Sequence, residues 1–375
     1  MKIFYFSLLD WYVTKQRPQH IAEGLSKYYD VTYFNILPFS NKEMRPHKLG
    51  DDIGLKSFNS NEGLIVKRIR LLPRGSFFIV KFINEFFLSF YFKYIMKIDN
   101  NDVLWFTHPS QVKYIPKSFN GITVYDCMDK YDQFTSDESI IKKNNYDEIN
   151  LVKVADVVFS SSKSLAKHLK GIGAKQVTVI NNAATFDRFN IDKAEVMAPS
   201  DINVNRKIVG YFGGVGSWFD VNLLINLASR LPDVDFLIIG PVSCVSIKEK
   251  CQSHTNIYFL GPKNFEELPS YLANFDVCIL PFITNELIKY VDPVKVYEYL
   301  SSGKPVVVPK YDEIMKFADY LYVSENDDDF YEKVKLSLDE EGERLPKKRK
   351  EFSFNNTWVN RVEDIRLVIE KAVRV

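Results

Sequence analysis

Two long blocks of this chain alternate short apolar runs with amphipathic ones, and that alternation leaves few architectures open. Short runs with no internal polar alternation suit strands buried on both faces of a parallel sheet. The amphipathic runs between them suit crossover helices, because parallel neighbours cannot be joined by a tight turn. In the first block the spacing predicts strands over 2–6, 31–35, 64–69, 102–106, 122–125, 157–160 and 176–180, with named helices over 18–28 and 163–170. In the second it predicts strands over 208–212, 236–239, 257–259, 277–280 and 306–308 and helices over 221–231, 265–274 and 293–302. A long amphipathic helix closes the chain over 357–373. Between 190 and 206 the sequence turns polar and loses its period. The expected fold class is therefore α/β, two doubly wound Rossmann-like domains facing a cleft. Their expected bounds are 1–190 and 191–354, with a C-terminal helix over 355–375 packing back on the first. Ligands of such sheets sit at the carboxyl ends of the strands, so residues directly after strands carry the interest.

Composition narrows the function classes. With 375 residues the chain is long enough for two or three domains of ~100–200 residues each. Its 49 Lys+Arg against 48 Asp+Glu leave a net charge of +1, which gives no global electrostatic reason to bind nucleic acid. Cys127, Cys244, Cys251 and Cys278 form no CxxC pair and read as reduced thiols, and no His, Cys or carboxylate cluster has metal-ligand spacing. No charge-free apolar run reaches the ~18 residues of a membrane span, and Asp10 interrupts the apolar start before it makes a signal peptide. A cytoplasmic protein is the expectation, with contact to the inner face of the membrane left open. The charge runs 327–329 and 346–350 read as solvated surface.

Four constellations could carry chemistry. In 291–305, Asp292 suits an N-cap, Pro293 a first helical position and Gly303 a C-terminal stop. The helix start at Pro293 and Val294 would offer free amides to a phosphate, Lys295 in the first turn asks for an anion nearby, and Glu298 could accept from a ribose diol. An ordinary surface helix with a Lys–Glu pair reads the same way. In 209–220, a strand runs into a turn with Gly213, Gly214, Ser217 and Trp218; its glycines allow phosphate to approach the backbone, though the spacing is neither GxGxxG nor a Walker loop. After the first strand come Arg17, Gln19 and His20, and after the fourth comes His108. Asp126 and Asp129 end an apolar strand and could act as bases, hold a hydroxyl, or merely cap the next element.

Together these blocks resemble GT-B glycosyltransferases of bacterial surface-polysaccharide and teichuronic-acid synthesis, of the group 1, family 4-like type. The residues that carry the likeness are Arg17–His20, Tyr125–Asp129, 155–166, 210–220, 259–282 and above all 285–307; the stretch 40–97 carries the least. The resemblance implies a hexosyltransferase that uses a nucleotide-sugar, UDP- or GDP-linked, as co-substrate, with no further cofactor and no metal. The C-terminal domain would hold the donor: Glu298 at the ribose, Gly213 and Gly214 near the diphosphate, Lys295 at the phosphates, Gly261 and Pro262 at the base. The N-terminal domain would take a saccharide or lipid-linked acceptor. Arg17, Gln19 and Asn182 are candidate phosphate or acceptor contacts; Asp126, Asp129, His108 and His20 are unranked candidates for acceptor binding or base catalysis. Retention is expected ahead of inversion, although Tyr290 stands where many retaining relatives carry an acidic residue. A sugar-nucleotide epimerase on the same fold is the alternative.

One compositional oddity remains. Aromatic residues make up 14% of the chain, and many crowd into 77–96, downstream of Lys67, Arg68, Arg70 and Arg74. Two readings stand: a helix buried in the N-terminal domain, or one lying on an anionic membrane surface through 67–98.

Overall fold

A computed structural model describes residues 1–12, 15–38, 56–61, 63–72, 77–116 and 118–373. The chain divides into two compact units, Met1–Asn181 with Arg361–Val375, and Asn182–Asn360. Arg74 lies outside the described residues.

The first unit is built on strands β1 (Lys2–Ser7), β2 (Asp30–Pro38), β3 (Lys56–Asn61), β4 (Leu64–Leu71), β5 (Val103–Phe106), β6 (Ile122–Cys127), β7 (Val157–Ser160) and β8 (Thr178–Val179). They form one sheet in the order β3-β4-β2-β1-β5-β6-β7-β8, with only β3 antiparallel to its neighbour. The order reverses direction at β1, as doubly wound sheets do. In-register pairing explains much of the aromatic content. Tyr5 lies opposite Tyr33 and Trp105, and Phe6 opposite Phe34 and Phe106. Their rings stack across the strands with centroids 5.0–5.5 Å apart, one row on each face of the sheet. Helix α1 (Arg17–Leu25) packs close to the terminal helix Trp358–Val373: a Cβ on Gly24 would stand 2.4 Å from Val362 Cγ2.

The second unit carries β9 (Lys207–Phe212), β10 (Val234–Ile239), β11 (Ile257–Gly261), β12 (Val277–Ile279), β13 (Val306–Pro309) and β14 (Tyr322–Ser324). Their order is β11-β10-β9-β12-β13-β14, all parallel. The fold class is thus α/β, two parallel-stranded sheets with interleaved helices.

Several local expectations need correction. The edge strands β3 and β14 were not foreseen, because KSFNSN and YVS lack an apolar run. The helix expected over 265–274 is confined to Leu268–Asn274. The basic run 346–350 is not uniformly solvated: Arg349 is buried, paired with Glu340 at 2.7 Å and donating to Tyr320 O and Gly303 O. A helix has only one inner face, and position 349 falls on it. Arg68 also turns inward, onto Asp10 at 2.6 Å.

The buried-helix reading of 77–96 is overturned. Helix α2 (Phe78–Phe90), continued by a π-helical turn Tyr91–Ile95, buries only Asn84, Leu88, Tyr91 and Phe92 among its residues.

Candidate active site

The carboxyl ends of β9 and β10 meet at two glycines. The Gly213 N–H donates to Ile239 O at 2.8 Å. Gly213 has φ +142° and Gly240 φ +138°, a region that favours residues without Cβ. Sterics give a second reason for each. A Cβ on Gly240 would lie 2.1 Å from Gly213 O, and one on Gly213 would lie 1.8 Å from Lys295 Cε and 2.7 Å from its Nζ. Residue 213 must therefore be bare for the lysine to lie across the turn. The Lys295 ammonium sits 5.8 Å from the centroid of Tyr211, whose hydroxyl donates to Gly214 O at 2.8 Å. Trp218 folds back on the same turn: its Nε1–H donates to Gly214 O at 3.2 Å, and its ring would touch a Cβ on Gly216. Ser217 is exposed beside it.

The helix Val294–Ser301 brings Lys295 and Glu298 to this turn. Pro293 occupies the N-cap position, and no side chain caps the first amides. Those amides and the helix dipole favour an anion. Asp292 is not the N-cap that its sequence position suggests. Its carboxylate accepts from Asn182 N–H at 2.7 Å and from the Tyr297 hydroxyl at 3.2 Å, and pairs with Lys316 at 2.7 Å. Asn182 Nδ2 donates to Asp292 O at 2.6 Å. Asp292 and Asn182 thus brace each other and the helix start, because three donors already surround the carboxylate.

Glu298 is different. It is buried, and among the described residues its carboxylate has no hydrogen-bond partner. Burial pushes its pKa up to about 8, against the pull of Lys295, and burial lowers that of Lys295 against the pull of Glu298. Glu298 has been stripped of water without receiving full compensation, and Lys295 beside it is half-buried. Gly261 ends β11 at φ +71° with open space where a Cβ would be, and Pro262 next to it is exposed. Tyr211, Tyr299 and Gly240 escaped the sequence reading. The spacing of Lys295 and Tyr299, i and i+4 on one helix face, was the available signal; the Tyr299 hydroxyl accepts from Phe212 N–H at 2.9 Å and seats the helix on β9.

The first unit gathers a second set of candidates at the end of β6. Arg17 and Asp126 face each other, both buried: Nη2 lies 2.8 Å from Oδ1, Nε 3.1 Å from Oδ2, and Nη1 donates to Ile180 O at 2.7 Å. Their charges are committed to each other. Gln19 closes the start of α1, accepting from Gln16 N–H and donating to Asp10 O at 3.1 Å each. His20 is buried in α1. His108 Nδ1 accepts from Ser110 N–H at 3.1 Å, so its neutral ring carries the proton on Nε2; the ring packs on Tyr131, and burial lowers its pKa to about 4. That tautomer is a donor, not a base. Asp129 is half-buried, without a side-chain partner among the described residues, and burial raises its pKa to about 6 despite Arg17. Among the described residues no three His, Cys, Asp or Glu side chains stand close enough to hold a metal.

Comparison with known proteins bears on both units. Residues 206–340 match the model of the family Glycosyl transferases group 1. Over 275 residues the chain is 26% identical to TuaH of Bacillus subtilis (strain 168), a protein named as a teichuronic acid biosynthesis glycosyltransferase; the match covers 68% of each chain. The structure is similar to sucrose-phosphate synthase from Thermosynechococcus elongatus, with a TM-score of 0.72 and 14% identity over 99% of this chain and 98% of the other. It is also similar to HepE of Anabaena in complex with UDP and glucose, with a TM-score of 0.69 and 14% identity over 99% of both chains.

Proposed function

We propose, for a chain that is a group 1 glycosyltransferase of the GT-B fold, that its second unit holds a UDP-linked hexose and its first unit a saccharide or lipid-linked saccharide acceptor of surface-polysaccharide synthesis. The observation that carries this reading is the open Lys295–Glu298 pair on a helix start laid across a bare glycine turn. A carboxylate without partners accepts two hydroxyl donors, which a ribose diol supplies. An ammonium, uncapped helix amides and a glycine turn together suit a diphosphate. UDP is read ahead of GDP because HepE, alike in fold, holds UDP and glucose.

Negative charge develops on the leaving diphosphate as the glycosidic bond breaks. Donors already aimed at that charge lower the barrier by several kcal/mol. Lys295, the amides of Val294 and Lys295 and the turn 213–217 take this role, with no metal assigned. Gly261 and Pro262 border the place of the base, where the backbone is open to a planar ring. Retention of the anomeric configuration is the first reading of the stereochemistry. Inversion has one observation behind it: among the described residues Asp129 is a carboxylate without a side-chain partner, and burial raises its pKa to about 6, toward the range that suits a general base.

Two experiments test the reading. UDP-, GDP-, ADP- and dTDP-sugars are compared by thermal shift, where UDP-glucose or a close analogue should raise the midpoint most; equal shifts for all, or none, overturn it. Lys295→Ala should lower kcat by on the order of 100-fold or more, and wild-type turnover would remove its assigned role. Proton NMR of the product anomer decides between retention and inversion.

A further inference from the structure

The exposed face of α2 is more apolar than its buried one. Phe78, Ile79, Phe82, Ile83, Phe86, Phe87 and Phe90 recur at i, i+1, i+4, i+5, i+8, i+9 and i+12, which places them on one face of a helix. Phe78 is 82% exposed and Ile79 71%. The opposite seam holds the helix to the protein through few groups. Asn84 accepts from Leu72 N–H at 2.9 Å and returns a bond to Leu72 O at 3.1 Å, Leu88 is buried, and Phe92 packs edge-on against Phe6 and Phe34. A helix turned to water places its apolar stripe inward. This one is inverted, so its outer face is made for an apolar medium.

Charge selects the medium. From 64 to 97 the sequence has seven basic residues and one acidic, Glu85. Arg68 is occupied by Asp10 and Lys81 lies 3.9 Å from Glu85, but Lys81, Lys93 and Lys97 are all exposed. A second copy docked about a two-fold axis would bring these like charges together. An anionic bilayer meets them with opposite charge. Among the described residues no helix is long and apolar enough to cross a membrane, which leaves α2 to lie in the interface.

We infer that the outer face of α2 is a docking surface for an anionic membrane, with the phenylalanines seated among the acyl chains and Lys81, Lys93 and Lys97 at the headgroups. Interfacial helices seat an apolar face ~5–10 Å into the bilayer boundary. This deepens the lipid-linked acceptor reading and rests on it for its purpose, since docking would hold the first unit where such an acceptor is embedded. Its test is independent of that reading.

The full chain is floated with vesicles of phosphatidylglycerol and phosphatidylcholine, and with phosphatidylcholine alone. Binding to the anionic vesicles, weakened by salt, is expected. Phe78→Ser/Phe82→Ser/Phe86→Ser should weaken it on the order of 100-fold, with an unchanged thermal midpoint because these side chains face solvent. Lys81→Glu/Lys93→Glu/Lys97→Glu should remove the preference for anionic vesicles and serves if the first variant misfolds. A full chain that stays unbound overturns the inference, as does undiminished binding by both variants. A dimer that the phenylalanine variant splits, without vesicle binding, reassigns the face to a second copy. UDP binding by calorimetry runs in parallel: its absence with vesicle binding intact would sink the donor reading and leave the docking standing.

Discussion

Each unit sets a basic side chain beside an acidic one, and the two pairs are built in opposite ways. In the first unit Arg17 and Asp126 meet side by side, 2.8–3.2 Å apart, with a carbonyl taking a further guanidinium N–H. In the second, Lys295 and Glu298 feel each other's field, yet the carboxylate has no hydrogen bond among the described residues. The closed pair recovers its desolvation cost within the protein and ties α1 to β6 and to the chain near β8. In the open pair the buried Glu298 has no such recovery until something else supplies donors. Closure marks a structural role, and an opening of this kind marks a binding role.

The largest effect should come from breaking the closed pair. Asp126→Ala leaves the Arg17 guanidinium buried without its counter-charge and should destabilise the first unit by ~3–5 kcal/mol. Urea unfolding of the variant checks this; a shift below 1 kcal/mol, an order-of-magnitude bound from exposed pairs, would place the pair with surface ion pairs. Glu298→Ala should do the reverse. Unfolding stability should hold or rise, while affinity for a UDP-sugar falls by roughly 10- to 100-fold, as expected for losing hydrogen bonds to a charged group. Calorimetry with an unchanged dissociation constant would end the ribose assignment.

The open pair also makes a pH prediction. Glu298 has its pKa raised from 4.5 to about 8 by burial. Between those values the folded state keeps a proton that the unfolded state has released, so this group's contribution to stability declines as pH rises through the window. Glu298→Gln should flatten that slope in denaturant midpoints taken at pH 5 and pH 8; parallel slopes in both proteins would refute it. The smallest effect is expected at the rim of the turn. Trp218→Phe removes one bond to Gly214 O and should cost donor affinity several-fold, in line with a net ~0.5–1.5 kcal/mol per neutral hydrogen bond. A titration showing no change would place the indole outside the site.

Much of the fold was legible along the chain. Runs such as IFYF in β1 and FLII in β10 can only be strands buried on both faces, and the punctuation at Gly303 and Pro305 marks the end of its helix. Helix caps were less legible. Asp292 has the right composition for one, but Asn182, Tyr297 and Lys316 outbid the local amides for its carboxylate. Residues within one motif were the most readable part of the site. Lys295 and Glu298 stand three positions apart, and their helical spacing is a local property.

What the sequence determined by itself is therefore what depends on near neighbours: two doubly wound sheets, a glycine turn after β9, a helix carrying Lys295 and Glu298, and an aromatic segment that is helical. Tertiary structure alone decided which charges close on each other and which face of a helix meets water. Arg17 and Asp126 are separated by 109 positions, and nothing local distinguishes them from a free cation and a free base. The aromatic period of 78–90 is the same for a helix turned inward or outward. The bonds of Asn84 to Leu72, the burial of Leu88 and the packing of Phe92 on Phe6 and Phe34 fix its rotation, because periodicity defines a face and the fold chooses what that face meets.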